Sequence, residues 1–154
     1  MLFLLFHLGN DRYALDTRQI VEVIPMITLK RLPQAPAGLA GLFNYRGLPV
    51  PALDLSQLAL GRPAQKRLST RIIIVNRRDG SEADHLLGVI AERATETLRR
   101  DPGDFVASGV NDAGAPYLGP VLADTSGLIQ WVDVDKMLTP AMRALFDQLP
   151  VESS

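Results

Sequence analysis

A mainly β fold, built of small barrels or a sandwich, is predicted by three observations. Short apolar and β-branched runs recur at near-regular spacing, Gly and Pro punctuate them (12 and 11 residues of 154), and helical patterning gathers at the C-terminus. The length suits one domain with a sizeable core or two small ones packed together. No long internal sequence repeat is evident, but the hairpin-rich halves before and after about residue 70 are each candidates for closing a small barrel.

Leu2–Leu8 is an apolar run, and Gly9-Asn10-Asp11 turns it into Arg12–Asp16, so the two read as a hairpin. The opening run lacks the basic flank and small-residue cleavage site of a signal segment, and a buried strand is the better reading. Thr17 is placed to cap a short turn, after which β-branched Ile20, Val21, Val23 and Ile24 predict a strand closed by Pro25. Thr28–Leu32 reads as a connection. Leu32–Leu55 is rigid and apolar, because Pro33 and Pro36 fix φ while Gly38, Gly41 and Gly47 allow positive φ or close backbone approach. Within it, 41–46 and 48–55 predict two strands joined at Gly47, with Pro49 and Pro51 tolerable only at an edge or bulge.

Ser56–Leu60 suits one helical turn ended by Gly61, and the polar, basic segment 62–70 a solvated loop. Arg71–Asn76 is a continuous apolar run and therefore a buried strand, with a turn at Arg77–Gly80 and His85–Glu92 as its hairpin partner. Arg93–Leu98 allows a further strand, and 99–114 is loop-like with a turn at Asp101-Pro102-Gly103. Tyr117–Ala123 and Gly127–Val134 read as a last hairpin. Asp135–Leu138 begins helix, and Thr139-Pro140 restarts it as cap and first residue, with Ala141, Leu145 and Phe146 as the apolar face.

Composition narrows function before any motif does. Apolar residues make up 47% and charged residues 21%, which argues against disorder. Sixteen basic against seventeen acidic residues give a net charge of -1, so no global field favours nucleic acid or an anionic membrane. Absence of cysteine removes disulfides, thiolate nucleophiles and cysteine-held zinc. No apolar run approaches the roughly 20 residues that cross a bilayer, so a soluble cytoplasmic protein is expected.

Candidate chemistry is sparse. His7 and His85 lie in strand contexts without a ligand-spaced partner, and no Gly-x-Ser-x-Gly elbow supports a nucleophile. Asp54, Asp133 and Asp135 suggest paired carboxylates, but aspartates at strand ends more often cap the next turn or helix. Gly38-Leu39-Ala40-Gly41 lacks the lysine of a phosphate loop, and Arg62, Lys66, Arg67 and Arg71 lack aromatic residues to stack bases. No cofactor, metal or catalytic residue is inferred. Arg46 stands apart as a planar cation in an apolar segment. It is either a hydrogen-bonding fork for a partner or one half of an internal salt bridge to Glu22 or Asp54.

Taken in order, Phe3–Gly9, Tyr13–Asp16, Ile20–Val23, Leu32–Pro36, Gly41–Gly47 and Val50–Leu55 resemble the CheW family of chemosensory coupling proteins. The similarity continues more weakly through Ile72–Val75, Gly88–Glu92 and Gly127–Asp133, and so covers nearly the whole chain. It implies two SH3-like five-stranded β-barrels over a shared core, with short helices and a C-terminal helix. One domain is expected over 1–148, with barrels at about 13–78 and 79–134, the N-terminal strand a candidate for sharing between them, and a flexible tail at 149–154.

The implied activity is non-enzymatic: an adaptor that joins methyl-accepting-type chemoreceptors to a CheA-type sensor histidine kinase of a two-component system. The implied partners are the receptor's cytoplasmic hairpin tip, received between the barrels, and the kinase regulatory domain, met by barrel ends. Neither nucleic-acid binding nor membrane insertion is implied; recruitment to membrane-bound receptor arrays is. By motif position the partner-binding residues are Ile20, Glu22, Gly41, Asn44 and Arg46, with Gly41 admitting a close-packed helix. Two residues depart from the family pattern, Tyr45 where an aliphatic residue is usual and Glu92 where aspartate is common. Each either repacks a core position or marks an adaptor dedicated to one receptor. The alternative reading is a β-barrel that binds a small ligand in an apolar space between its halves.

Overall fold

The computed structural model describes residues 1–77, 85–109 and 115–148. Nine strands lie among them: β1 (Leu2–Leu8), β2 (Asp11–Asp16), β3 (Ile20–Pro25), β4 (Leu39–Tyr45), β5 (Leu48–Asp54), β6 (Arg71–Arg77), β7 (His85–Arg99), β8 (Leu118–Asp124) and β9 (Gly127–Val132). Two short helices, α1 (Leu55–Leu60) and α2 (Pro140–Phe146), follow β5 and end the described chain. The fold is mainly β, as expected.

The strands form two five-stranded, SH3-like barrels that share β7. In the first, β3 pairs with β6, β6 with the start of β7, β7 in parallel with β5, and β5 with β4. Lys30, just past β3, closes the ring by exchanging two 2.8 Å backbone hydrogen bonds with Leu42 of β4. In the second, the end of β7 pairs with β1, β1 with β2, β2 in parallel with β9, and β9 with β8. Val106, just past β7, closes that ring against Val121 of β8.

The chain therefore runs twice through one plan: a hairpin, a strand, a bridging residue, a second hairpin, and an aspartate-capped helical turn. The leading hairpin of each half is exchanged, β1–β2 lying in the second barrel and the β6–β7 hairpin in the first. That exchange differs from the expected division at residue 78. β2 belongs to the second barrel, and the shared strand is β7, not the N-terminal one. Residues 85–99 are also one strand, not two, and pass between barrels where Ala91 pairs with Arg71 and Glu92 with His7. A bulge with Arg93 at φ 50° makes the bend.

Each barrel holds its own core, and a third lies between them. Phe43, Tyr45, Val50, Ile72, Ile74 and Ile90 fill the first barrel; Phe3, Leu5, Ala14, Phe105, Leu122 and Ile129 fill the second. Leu4, Phe6, Leu8, Leu53, Ile73, Val75, Leu87 and Val89 meet between the two. Alternate residues of β1 and β6 thus face different cores, which is why both strands read as unbroken apolar runs. Pro49 and Pro51 occupy the half of β5 that borders only β4, since β7 joins at Ala52.

Local caps correct two details. Asp16, not Thr17, caps the short 3-10 turn before β3, while the Thr17 hydroxyl donates to the Leu2 carbonyl at 2.9 Å. Thr139 and Pro140 start α2 as expected, but Met142 and Phe146 are its buried residues and Ala141 is exposed. The tail at 149–154, and parts of the turn ending at Gly80 and the loop ending at Gly114, fall outside the described residues. Among the described residues no helix is long and apolar enough to cross a membrane.

Candidate functional site

The hairpin β4–β5 ends in a two-residue turn, Arg46-Gly47, with Tyr45 paired to Leu48. Right-handed strand twist favours turns with positive φ at both central positions, and Arg46 and Gly47 have φ of 52° and 88°. Asparagine or aspartate followed by glycine is the usual choice there, and arginine is a strained substitute. Asn44 contributes instead from the preceding strand, its Oδ1 accepting from the Gly47 amide at 2.8 Å.

Arg46 is thrown outward, with 76% of its side chain exposed. Its Nη2 lies 3.6 Å from Glu22 Oε2, and its guanidinium sits 5.0 Å from the centre of the Tyr45 ring. Of the two internal partners the sequence allowed, Glu22 is the one present, and its side chain is itself 42% exposed. The Tyr45 hydroxyl donates to that same carboxylate. Arg46, Tyr45 and Glu22 therefore form one connected cluster between the tip of β4–β5 and strand β3. An exposed pair at this distance contributes little stability, and it leaves guanidinium donors open to an incoming acceptor.

The other expected residues divide. Ile20 packs partly against the core between the barrels, two residues from Glu22 across a bulge in β3. Gly41 is buried, and a Cβ there would lie 2.4 Å from the Lys30 carbonyl oxygen. The backbone that Gly41 admits is thus this chain's own, at the bridge that closes the first barrel, which replaces the expectation that it makes room for a partner helix. Sequence reasoning marked Tyr45 as a departure from the family pattern but did not place it at the site, although period-2 alternation puts it on the inward face with Phe43, and a buried phenol calls for a partner. It also passed over the outward row of β3, where Val21 and Val23 stand 47% and 38% exposed.

Elsewhere the ionisable groups serve the fold. Asp54 caps α1, accepting from the Gln57 amide at 3.2 Å and from the Ala64 amide at 2.9 Å. Burial pushes its carboxyl above the usual range, against the pull of those backbone donors. Asp133 caps the turn Val134–Lys136, and the Gln19 side-chain amide donates to Asp135 at 3.3 Å. His7 is half-buried, with its pKa lowered first by that burial and then by Arg93.

The apolar space between the halves, which a small-ligand barrel would need, is occupied by the third core. An open cleft of about 550 Å³ lies instead beside the Thr17–Gln19 turn, and Arg18, Trp131, Asp133 and Lys136 give it a mixed lining.

A model of the CheW-like domain matches residues 2–141. The chemotaxis protein CheW of Klebsiella aerogenes is 27% identical over 150 residues, spanning 96% of this chain and 87% of that protein. That of Helicobacter pylori is 32% identical over 98 residues, or 63% of this chain and 56% of the relative. Among solved structures, the scaffolding protein TtCheW of Thermoanaerobacter tengcongensis superposes with a TM-score of 0.77 at 19% identity, covering 90% of this chain and 87% of its own.

Proposed function

The chain belongs to the CheW-like domain family, and from that premise we propose that it is a non-enzymatic adaptor that couples methyl-accepting-type chemoreceptors to a CheA-type histidine kinase. Its work is positioning: the hairpin tip of a receptor and the regulatory domain of the kinase are held at fixed places on one rigid β scaffold. It acts in the cytoplasm, recruited to membrane-bound receptor arrays.

The observation that carries this reading is the Arg46 turn. A residue that is costly for the turn's backbone, exposed at the tip of a rigid hairpin and only loosely paired with Glu22, gains nothing obvious for folding. Its planar fork is well matched to a carboxylate or carbonyl on another protein. Exposed Val21 and Val23 supply apolar contact nearby on β3, and Glu22 sets register by repelling misplaced acids. Ile20 and Asn44 support the surface, from beneath and through the turn respectively.

The test is binding of the purified protein to a receptor cytoplasmic fragment and to the kinase regulatory domain. Charge-assisted hydrogen bonds contribute about 1.5–3 kcal/mol, so Arg46→Ala is expected to weaken one of the two complexes by about tenfold or more. Thermal unfolding should change by no more than a few degrees. Equal binding by wild type and variant in both assays would remove Arg46 from the interface.

A further inference from the structure

We infer that Tyr45 is a positioning residue that holds Glu22 and Arg46 as one preformed charged pair, so that an acidic group on the partner meets an arginine whose direction is already set. The inference rests on the adaptor reading and deepens it, by naming the chemistry the partner presents and the residue that prepares this chain for it. Its basis is the three-way contact at the hairpin tip.

An exposed arginine and an exposed glutamate would ordinarily sample many rotamers, and ordering them on binding would cost affinity. Here a third group restrains both. The Tyr45 ring is buried in the first barrel's core with Phe43, Val50 and Ile74, so its position is fixed by packing. One face of the ring lies against the Arg46 guanidinium at 5.0 Å, and the hydroxyl at its far end donates to the Glu22 carboxylate. At 3.6 Å the Arg46–Glu22 contact is an ion pair longer than a hydrogen bond. Glu22 therefore steadies the guanidinium without using up its donors. The left-handed φ of Arg46 completes the restraint by fixing the direction in which the side chain leaves the turn.

An aliphatic residue at position 45 could fill the same core space but could make neither contact. The tyrosine thus converts a flexible surface charge into an oriented fork, suited to a carboxylate approached in two-pronged geometry.

The experiment compares Tyr45→Phe and Tyr45→Leu with wild type in two readouts. The first is solution NMR of the free protein. Wild type and Tyr45→Phe should show the Arg46 δ-methylene protons shifted upfield by the ring and a restrained Nε–Hε group; in Tyr45→Leu both features should fall to the values of a free surface arginine. The second readout is affinity for the receptor fragment and the kinase regulatory domain. Loss of the hydroxyl should weaken the Arg46-dependent complex about threefold, and loss of the whole ring about tenfold. Core methyl spectra and the melting temperature establish that both variants fold.

An Arg46 side chain with unchanged shifts and mobility in Tyr45→Leu overturns the positioning role. A mobile Arg46 combined with unchanged binding in both assays upholds the positioning contacts and overturns the reading of this surface as an interface.

Discussion

Two hairpin tips occupy corresponding places in the doubled topology and are built in opposite ways. At the tip of β8–β9, Asp124 accepts from both terminal nitrogens of the Arg12 guanidinium, Nη1 at 2.9 Å and Nη2 at 2.5 Å, and also from the Ser126 amide at 2.8 Å. Fewer than a fifth of either side chain's surface is exposed, 19% for Arg12 and 17% for Asp124. At the tip of β4–β5 the ion pair is longer and exposed, and the arginine itself occupies the strained turn position. The second tip puts its positive φ at Gly127, where no side chain bears the cost. One charge is consumed in holding its own barrel, while the other is displayed. Under the proposed function, the same structural place serves the fold in one half and a partner in the other.

The two halves differ most at the bridges that close their barrels. Beside the first bridge, Gly41, one residue before Leu42, has φ of 153° and no room for a Cβ against the Lys30 carbonyl, whereas in the second barrel the bridging residue itself, Val121, is half-buried. Gly41→Ala is therefore expected to cost about 2–4 kcal/mol in urea unfolding, against about 1 kcal/mol for Val121→Ala. Equal costs would mean that the first barrel closes by some means other than the Lys30–Leu42 pairing.

A smaller effect separates the two ion pairs. The Arg12 guanidinium, followed by the Ser126 amide, lowers the pKa of Asp124 to about 2 from an ordinary 3.8. A carboxylate with a depressed folded-state pKa adds stability above its unfolded pKa, and loses it as pH falls through the folded value. Stability of the wild type should therefore decline as pH falls from about 4 towards about 2. Asp124→Asn should flatten that part of the acid limb in denaturation curves and leave partner binding unchanged. Impaired binding in this variant would mean that the second tip also faces a partner.

Much of this architecture was legible because local chemistry leaves marks in the sequence. β1 and β6 stand out as apolar runs since each borders two cores, and Asp54, Asp133 and Thr139 read as caps and are caps. The two hairpin-rich halves could be read, but the exchange of their leading hairpins was hidden because it lies in strand pairing, which requires no matching residues. The continuity of β7 was hidden for a related reason: Arg93 bends the strand without a Gly or Pro to mark the place. At the candidate site, Arg46 and Glu22 stood out by charge. Gly41 looked the same in sequence whether it admits a partner or the chain's own Lys30, and only the backbone distance distinguishes the two.

If the first tip gives up local backbone preference in order to display a cation, then stability and binding should separate there. Replacing Arg46 by asparagine gives the turn the Asn-Gly pair that positive φ favours, and removes the fork. Chemical denaturation and partner affinity, measured on the same Arg46→Asn preparation, test this directly. Stability should hold or rise by up to about 1 kcal/mol while affinity for the receptor fragment or the kinase regulatory domain falls about tenfold. Binding that survives, or stability and binding that fall together, would contradict it.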